Sequence, residues 1–316
     1  MDRVGFIGLG NMGAAIAANI QKAGFAISVY DVRADLAQPL LANGARSANS
    51  PFEVTQASDV IFTSLPGPAE VEQVVRGADG ILKATIPGKV YIDLSTNSPL
   101  LIRSLAEDFT AKGAHMLDAP VSGGKAGAIS GNLAVMVGGD RQVFERIEPL
   151  LKAFGDKVFY AGAIGSGTVC KLVHNVIAQN FRQIVAEGLT LGVKAGVSAE
   201  ILWEAVRRGA VGRARFIHET LVTTILRGKF EPASFSLGLA KKDLDLALEL
   251  AHDLKVPLPL TELVHDNFVA GMERGWMEKD SNIVFLFQEE AAGVEVRAPS
   301  IDAGKAKAFI TTHLQE

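Results

Sequence analysis

The segment VGFIGLGNMG, residues 4–13, decides the fold because it joins a short apolar strand to a glycine-rich turn and a helix. In the pattern G-x-G-x-x-G, Gly8 permits the tight turn, Gly10 lets the backbone approach a pyrophosphate, and Gly13 allows close packing of the helix on the strand. The helix AAIAANIQKAG follows at once, so its N-terminus faces the phosphates. A structural glycine turn is the alternative interpretation. The residues predicted to bind a dinucleotide here are Gly8, Gly10, Asn11, Met12 and Gly13.

The second predicted strand, ISVYD, ends in an acidic residue. Asp31 lies about twenty residues beyond the glycine motif, where a carboxylate binds the hydroxyls of the adenine ribose. That carboxylate favours NAD over NADP because it repels a 2′-phosphate, whereas Arg33 could reach such a phosphate. The sequence therefore predicts NAD as the cofactor, with NADP as the alternative.

Two kinds of pattern divide the chain. Up to Gly162, short apolar runs such as DVIFTSLP and KVYIDLST alternate with amphipathic helical stretches, which predicts a mostly parallel sheet covered on both faces. Beyond Gly162 only helical periods follow, beginning with a long linking helix from about Ser166 to Ala195. We therefore predict an α/β Rossmann dinucleotide-binding domain over 1–163, an all-helical substrate and oligomerisation domain over 164–296, and a C-terminal tail of unknown role over 297–316.

Composition excludes several classes of protein. The 316 residues are 48% hydrophobic and 21% charged with a formal net charge of −4, which predicts a globular protein without the basic footprint of nucleic-acid binding. One cysteine excludes an internal disulfide framework and a multi-cysteine metal site, and we predict no metal. We find neither a signal segment nor a membrane span, so we expect a reducing cytoplasm.

The segment DAPVSGGKAGAISG, residues 118–131, is a second candidate site. It follows a predicted strand at the sheet edge where ligands of open α/β sheets bind. Ser122, Gly123 and Gly124 offer a hydroxyl and unencumbered backbone amides, a composition suited to a nest that holds a carboxylate. A flexible turn is the alternative.

The segment GSGTVCKLVHN, residues 165–175, places a lysine in an apolar helical run. Lys171 either extends to solvent or loses hydration, and in the second case its pKa falls. Asn175 comes four residues later, on the same helix face. We interpret Cys170 as a small core residue, and His174 lacks the companions that a metal site needs.

Four motifs in order, GFIGLGNMG, DAPVSGGKAGA, GSGTVCKLVHN and LAKKDLDLAL, resemble those of the β-hydroxyacid dehydrogenase family. The family includes 3-hydroxyisobutyrate dehydrogenase and tartronate semialdehyde reductase, and the similarity extends over residues 3–295. It implies that Lys171 is the catalytic acid/base, that Asn175 binds substrate, and that Ser122, Gly123 and Gly124 hold the substrate carboxylate. It also implies that Thr96 and Lys242 line the nicotinamide end of the cofactor site and that Leu65 and Pro66 pack along this site. Lys241 beside Lys242 leaves that register open, and we take Lys242 because Asp243 follows it directly.

The resemblance implies an oxidoreductase that transfers a hydride between NAD(P) and a small β-hydroxyacid or its semialdehyde. Candidate substrates are 3-hydroxyisobutyrate, tartronate semialdehyde, succinic semialdehyde and serine-like acids, and the side-chain pocket depends on helical residues such as Phe235. A non-catalytic dinucleotide-binding scaffold or sensor, and an imine reductase-like enzyme, are the alternatives. We expect a homodimer or homotetramer, because the linking helix carries apolar residues around most of its surface.

Overall fold

A computed structural model of the chain describes residues 2–214 and 216–302, apart from the side chains of residues 246, 249 and 250. Within these residues every strand belongs to one nine-stranded sheet. The strands are β1 (Val4–Ile7), β2 (Ile27–Tyr30), β3 (Arg46–Ser47), β4 (Val60–Thr63), β5 (Val90–Asp93), β6 (His115–Asp118), β7 (Val121–Ser122), β8 (Ala134–Gly139) and β9 (Lys157–Gly162). Their order is β3-β2-β1-β4-β5-β6-β8-β7, with β9 paired to β8.

The first six strands are parallel, and this arrangement creates the site. β1 pairs with β2 on one side and with β4 on the other. The strand order therefore reverses direction at β1, which is the point where open α/β sheets bind ligands. β8 runs antiparallel to β6 and β7 and parallel to β9. The carboxyl ends of β1, β2, β4, β5 and β6 consequently lie along one edge.

Helices cover both faces of the sheet because successive strand residues point to opposite sides. Phe62 of β4 belongs to one apolar cluster, with residues of the first and eighth helices, whereas Ile61 belongs to the cluster on the other face, with residues of the fourth and sixth. The helices of this region are α1 (Gly13–Lys22), α2 (Gln38–Leu41), α3 (Pro51–Ala57), α4 (Pro68–Arg76), α5 (Ile81–Ala84), α6 (Pro99–Ala111), α7 (Gly124–Ser130) and α8 (Arg141–Leu151). A 3₁₀ turn, Ala34–Ala37, precedes α2.

Proline and capping side chains define where several of these helices begin. Pro51 and Pro99 occupy the first helical positions, where a missing N–H costs nothing. The Ser50 hydroxyl accepts a hydrogen bond from the Glu53 amide at 3.2 Å, and Asp140 accepts one from Val143 at 3.0 Å. Such caps satisfy first-turn amides that have no partner within the helix.

The chain divides into two compact units, residues 1–177 and 178–316. The division falls within α9 (Ser166–Lys194). The described residues of the second unit form helices: α10 (Ala199–Arg208), α11 (Leu221–Thr223), α12 (Leu237–Leu254), α13 (Pro259–Glu273) and α14 (Phe285–Ala292), with a π-helical turn at Phe216–Thr220 and 3₁₀ turns at Ile225–Arg227 and Ser281–Val284.

A buried carboxylate organises part of the second unit. Glu187 accepts hydrogen bonds from the amides of Leu260 and Thr261 and from the Thr261 hydroxyl, at 3.0, 3.1 and 2.9 Å. These amides lie in the first turn of α13, so Glu187 supplies the cap that Leu258 cannot. It thereby attaches α13 to α9.

The predicted fold class, an α/β Rossmann region followed by a helical region, is confirmed. The boundary at residue 163 stays a prediction. Of the predicted tail over 297–316, residues 303–316 lie outside the residues that the structure describes. None of the described helices is long and apolar enough to cross a membrane.

Candidate active site

A cleft of about 610 Å³ opens at the carboxyl ends of β1, β2 and β4. Backbone of the glycine turn forms one wall, and the segments that follow β2 and β4 form the others. Nine residues predicted to bind cofactor line this cleft: Gly8, Gly10, Asn11, Met12, Gly13, Asp31, Arg33, Leu65 and Pro66. The structure therefore brings together residues from three separate parts of the sequence.

The three motif glycines meet different constraints. Gly8 has φ +92°, and a Cβ there would lie 2.4 Å from the Ser64 carbonyl oxygen. A Cβ at Gly13 would lie 1.9 Å from the carbonyl oxygen of Gly8, so only glycine lets α1 start this close to β1. At Gly10 a Cβ would meet nothing within 4 Å. The space beside Gly10 is open, which fits the close approach of a pyrophosphate.

Asp31 has a second role that its position in the sequence did not reveal. One carboxylate oxygen accepts a hydrogen bond from the Leu9 amide at 2.6 Å, and the other accepts one from the Arg33 amide at 2.8 Å. The side chain thus ties the glycine turn to the end of β2. Each oxygen keeps a further lone pair for a ribose hydroxyl.

Thr96 lies apart from this cleft, in an exposed position after β5. Its loop is held by Asp93, whose carboxylate is fully buried and accepts hydrogen bonds from the Thr63 hydroxyl at 2.8 Å, the Ser95 amide at 3.1 Å and the Asn97 side chain at 2.8 Å. Burial raises the pKa of Asp93, and these hydrogen bonds oppose the rise. The Ser95 hydroxyl in turn accepts from the Leu65 amide at 3.0 Å. Asp93 thus joins the loop of Thr96 to the loop of Leu65.

Ser122 ends β7 and is followed by two glycines with positive φ, +136° at Gly123 and +62° at Gly124. These values permit a sharp turn into α7 that other residues rarely adopt. The Ser122 hydroxyl lies 3.4 Å from Nε2 of His174, whose Nδ1 lies 3.3 Å from the Asn175 side-chain oxygen. His174 therefore connects the predicted carboxylate segment with a predicted substrate-binding residue. Sequence reasoning assigned no site role to His174.

Lys171 lies half-buried on α9, one turn before Asn175. Desolvation by burial lowers the pKa of its ammonium group. Several apolar side chains near it in the sequence, including Val173 and Ile177, are exposed in the single chain. The lowered pKa therefore arises from burial of Lys171 itself and not from a continuous apolar cover along the helix.

Lys242 and Phe235 belong to the second unit. Lys242 lies on α12 and pairs with Asp243 at 2.8 Å, and Lys241 pairs with Asp245 at 2.8 Å. Both lysines thus have acidic partners within the same helix. Among the described residues no cluster of three or more histidine, cysteine, aspartate or glutamate side chains is arranged to hold a metal ion.

Two family models match consecutive parts of the chain. Residues 3–162 match the NAD binding domain of 6-phosphogluconate dehydrogenase, and residues 165–287 match the NAD-binding model of NADP-dependent 3-hydroxyisobutyrate dehydrogenase. The chain is 36% identical over 294 residues to 2-(hydroxymethyl)glutarate dehydrogenase of Eubacterium barkeri, covering 93% of this chain and 97% of that protein. It is also 36% identical over 279 residues to 2-hydroxy-3-oxopropionate reductase of Escherichia coli K12, covering 88% and 94%.

The chain belongs to the β-hydroxyacid dehydrogenase family. This β-hydroxyacid dehydrogenase is an NAD(P)-dependent oxidoreductase. An imine reductase of Myxococcus stipitatus has a TM-score of 0.77 over 90% of the chain and 99% of its own, but at 17% identity it shows the fold alone. The hydroxyacid interpretation is the better supported one.

We expect Gly10→Ala and Gly13→Ala to fail in different ways. Gly10→Ala should fold normally but weaken NAD binding at least tenfold, because the methyl group would enter the open space beside the pyrophosphate. Gly13→Ala should lower thermal stability, because its Cβ would lie 1.9 Å from the Gly8 carbonyl oxygen. Thermal melts and NADH fluorescence titrations of both variants test this. Equal NADH affinity of Gly10→Ala and the unmodified protein would contradict it.

We expect Asp31 and Arg33 to set cofactor preference in opposite directions. Asp31→Ser should lower kcat/KM with NAD about 10–100-fold, since a hydrogen bond to a charged group contributes about 1.5–3 kcal/mol. NADP should lose less, because the repulsion of its 2′-phosphate disappears. Arg33→Ala should mainly reduce the use of NADP, and Asp35→Ser, at an exposed acidic residue nearby, is the control. An unmodified enzyme that already prefers NADPH would show that Arg33 dominates.

Proposed function

We propose that this enzyme interconverts a small β-hydroxyacid and its semialdehyde with Lys171 as the acid/base. One observation carries the proposal. The half-buried Lys171, whose pKa is lowered, lies on the helix face of Asn175, and His174 joins this helix to Ser122. A proton acceptor and donors for a carboxylate thus occur in one compact unit.

The chemistry assigned to the chain is proton transfer and orientation. Bound in the cleft beside Gly10, NAD(P) would accept a hydride from the carbinol carbon or return it. In oxidation, the neutral amine of Lys171 takes the hydroxyl proton as the C–O bond becomes a carbonyl. In reduction, the Lys171 ammonium gives that proton back to the carbonyl oxygen. A lowered pKa makes both forms available closer to neutral pH.

Ser122, Gly123 and Gly124 hold the carboxylate, and Asn175 orients the substrate. The names of two relatives support this choice of substrate class. In 2-(hydroxymethyl)glutarate the carbon of the primary alcohol is bonded to the carbon that bears a carboxylate. In 2-hydroxy-3-oxopropionate the aldehyde carbon is likewise bonded to the carbon that bears the carboxylate. A carboxylate fixed at Ser122 would therefore place the reacting carbon of either compound at one point. In this proposal Thr96 contributes to the nicotinamide end of the cofactor site, and the assignment of Lys242 to the cofactor stays a prediction.

We expect Ser122→Ala to raise the KM for the hydroxyacid about 10–100-fold, because it removes a hydrogen bond to a charged group. The KM for NAD should stay unchanged, and the amide analogue of the substrate should react poorly with the unmodified enzyme. Ser130→Ala is the matched control, since among the described residues its hydroxyl bonds to carbonyl groups of its own helix, at 3.0 and 3.3 Å. Equal rates for the acid and the amide would contradict the carboxylate assignment.

We expect Lys171→Ala to lower kcat by about 10² to 10⁴ while NADH still binds, because a general acid/base contributes on that scale. Lys171→Arg should not restore activity, since a guanidinium does not release its proton near neutral pH. For oxidation, kcat/KM should rise with pH through an apparent pKa below the value of about 10.4 of a free lysine, because the neutral amine is the reactive form. Lys157→Ala, at an exposed lysine paired with Asp156, is the control. Near-normal hydride transfer in Lys171→Ala would refute the assignment, and NADH binding without turnover of any hydroxyacid by the unmodified protein would favour the scaffold.

We also propose a homodimer or homotetramer located in the reducing cytoplasm. The single cysteine supports the compartment. Val173, Ile177 and Phe181 on α9 are 54%, 58% and 51% exposed, and apolar side chains at this spacing form a stripe that a second copy would cover. Light scattering at micromolar concentration should give a multiple of the monomer mass, and Phe181→Glu should reduce it. A monomer mass for the unmodified protein would contradict this proposal.

A further inference from the structure

Asp118, at the end of β6, is a fully buried carboxylate without a cationic partner among the described residues. One oxygen accepts a hydrogen bond from the Gly165 amide at 2.7 Å. The other accepts from the amide and from the hydroxyl of Thr168, at 2.6 and 2.8 Å. Three donors therefore converge on one side chain from a segment 47 to 50 residues away in the sequence.

These donors lie at the N-terminus of α9. The Val169 amide donates to the carbonyl of Gly165, the residue just before α9, at 3.0 Å. The amide of Thr168 has no such partner inside the helix, and the positive end of the helix dipole favours a carboxylate there. Asp118 thus caps α9 from a strand of the sheet.

The packing around this cap excludes other side chains. A Cβ at Gly138 would lie 2.4 Å from the Asp118 carboxylate, and a Cβ at Gly167 would lie 2.1 Å from the Met136 carbonyl oxygen. Backbone of β8 and the start of α9 are therefore in direct contact. The first turn of α9 cannot rotate or slide without breaking the hydrogen bonds of Asp118 or causing a collision.

The cap is adjacent to the proposed active site on both sides. Lys171 comes three residues after Thr168, and Asn175 comes seven residues after Thr168. The three residues therefore share one face of α9. Ser122 follows Asp118 by four residues in the same segment. We propose that Asp118 is a positioning residue that fixes the rotation of α9 and thereby sets where Lys171 and Asn175 lie relative to Ser122. This inference rests on the proposed function.

An aspartate is required because every group that faces Asp118 in these contacts is a donor. Asparagine would have one oxygen, and its NH₂ group would face an amide of Gly165 or Thr168. Asp118→Asn keeps the size of the side chain while removing at least one of the three hydrogen bonds. Thr168→Ser keeps all three donors, and Thr168→Val removes the hydroxyl alone.

The test compares kcat with cofactor affinity in folded variants. Asp118→Asn should lower kcat about 10–100-fold, because a displacement of about 1 Å near the reacting groups costs on that scale. The Kd for NADH should stay within twofold of the unmodified value. Thr168→Ser should retain normal kcat, and Thr168→Val should lose kcat to an intermediate degree. Asp140→Asn, which weakens the equivalent cap of α8, should lower stability without changing kcat.

The outcomes separate this inference from the proposed function. The positioning role is overturned if folded Asp118→Asn has a normal kcat. It is also overturned if Asp140→Asn loses kcat to the same extent as Asp118→Asn. If Asp118→Asn does not fold, Thr168→Val decides, and normal kcat in that variant overturns the inference. An unmodified enzyme inactive toward all β-hydroxyacids overturns the proposed function itself, before any variant is compared.

Discussion

Direct contact between backbone segments at the carboxyl edge of the sheet is the constraint on which the rest of the structure depends. At Gly13 the start of α1 reaches the Gly8 carbonyl oxygen, and at Gly167 the start of α9 reaches that of Met136. A single methyl group would prevent either approach. Two helix N-termini are thereby held against the sheet, one beside the cofactor cleft and one beside the lysine segment.

Carboxylates then tie these contacts to their surroundings. Asp31 binds the amide of Leu9 in the glycine turn, Asp93 joins the loops after β4 and β5, and Asp118 caps α9. Each carboxylate ends a strand or directly follows one, at the same edge. Parallel strands deliver their carboxyl ends to one line, so polar residues that are distant in the sequence become neighbours there.

The sequence predicted the features that depend on local patterns. These features are the strands, the helices, the glycine motif and Asp31. Each can be predicted because its residues recur or pair within a few tens of positions. The roles of Asp118 and His174 were not predictable in this way. Asp118 accepts hydrogen bonds from Gly165 and Thr168, and His174 lies within hydrogen-bond distance of Ser122, which is 52 residues away in the sequence. Only the folded chain shows these contacts. The sequence signal for Asp118 was its position as an acidic residue at the end of an apolar strand.

The environment of Lys171 follows from the apolar sequence pattern only in part. An apolar helical run predicts a desolvated lysine, and the pKa of Lys171 is indeed lowered by burial. Yet Val173 and Ile177 in that run are exposed in the single chain, so the run itself does not supply the cover. The apolar spacing instead leaves a surface that supports the proposed assembly.

A site-resolved titration of Lys171 tests most directly whether this residue is a desolvated acid/base. The rate of amine acylation at Lys171, followed by peptide mass spectrometry across pH, gives its pKa without assuming any substrate. Exposed Lys157, labelled in the same sample, controls for the reactivity of the reagent. We predict a midpoint for Lys171 clearly below the value of about 10.4 of a free lysine. A midpoint at or above that value would contradict a desolvated acid/base at this position.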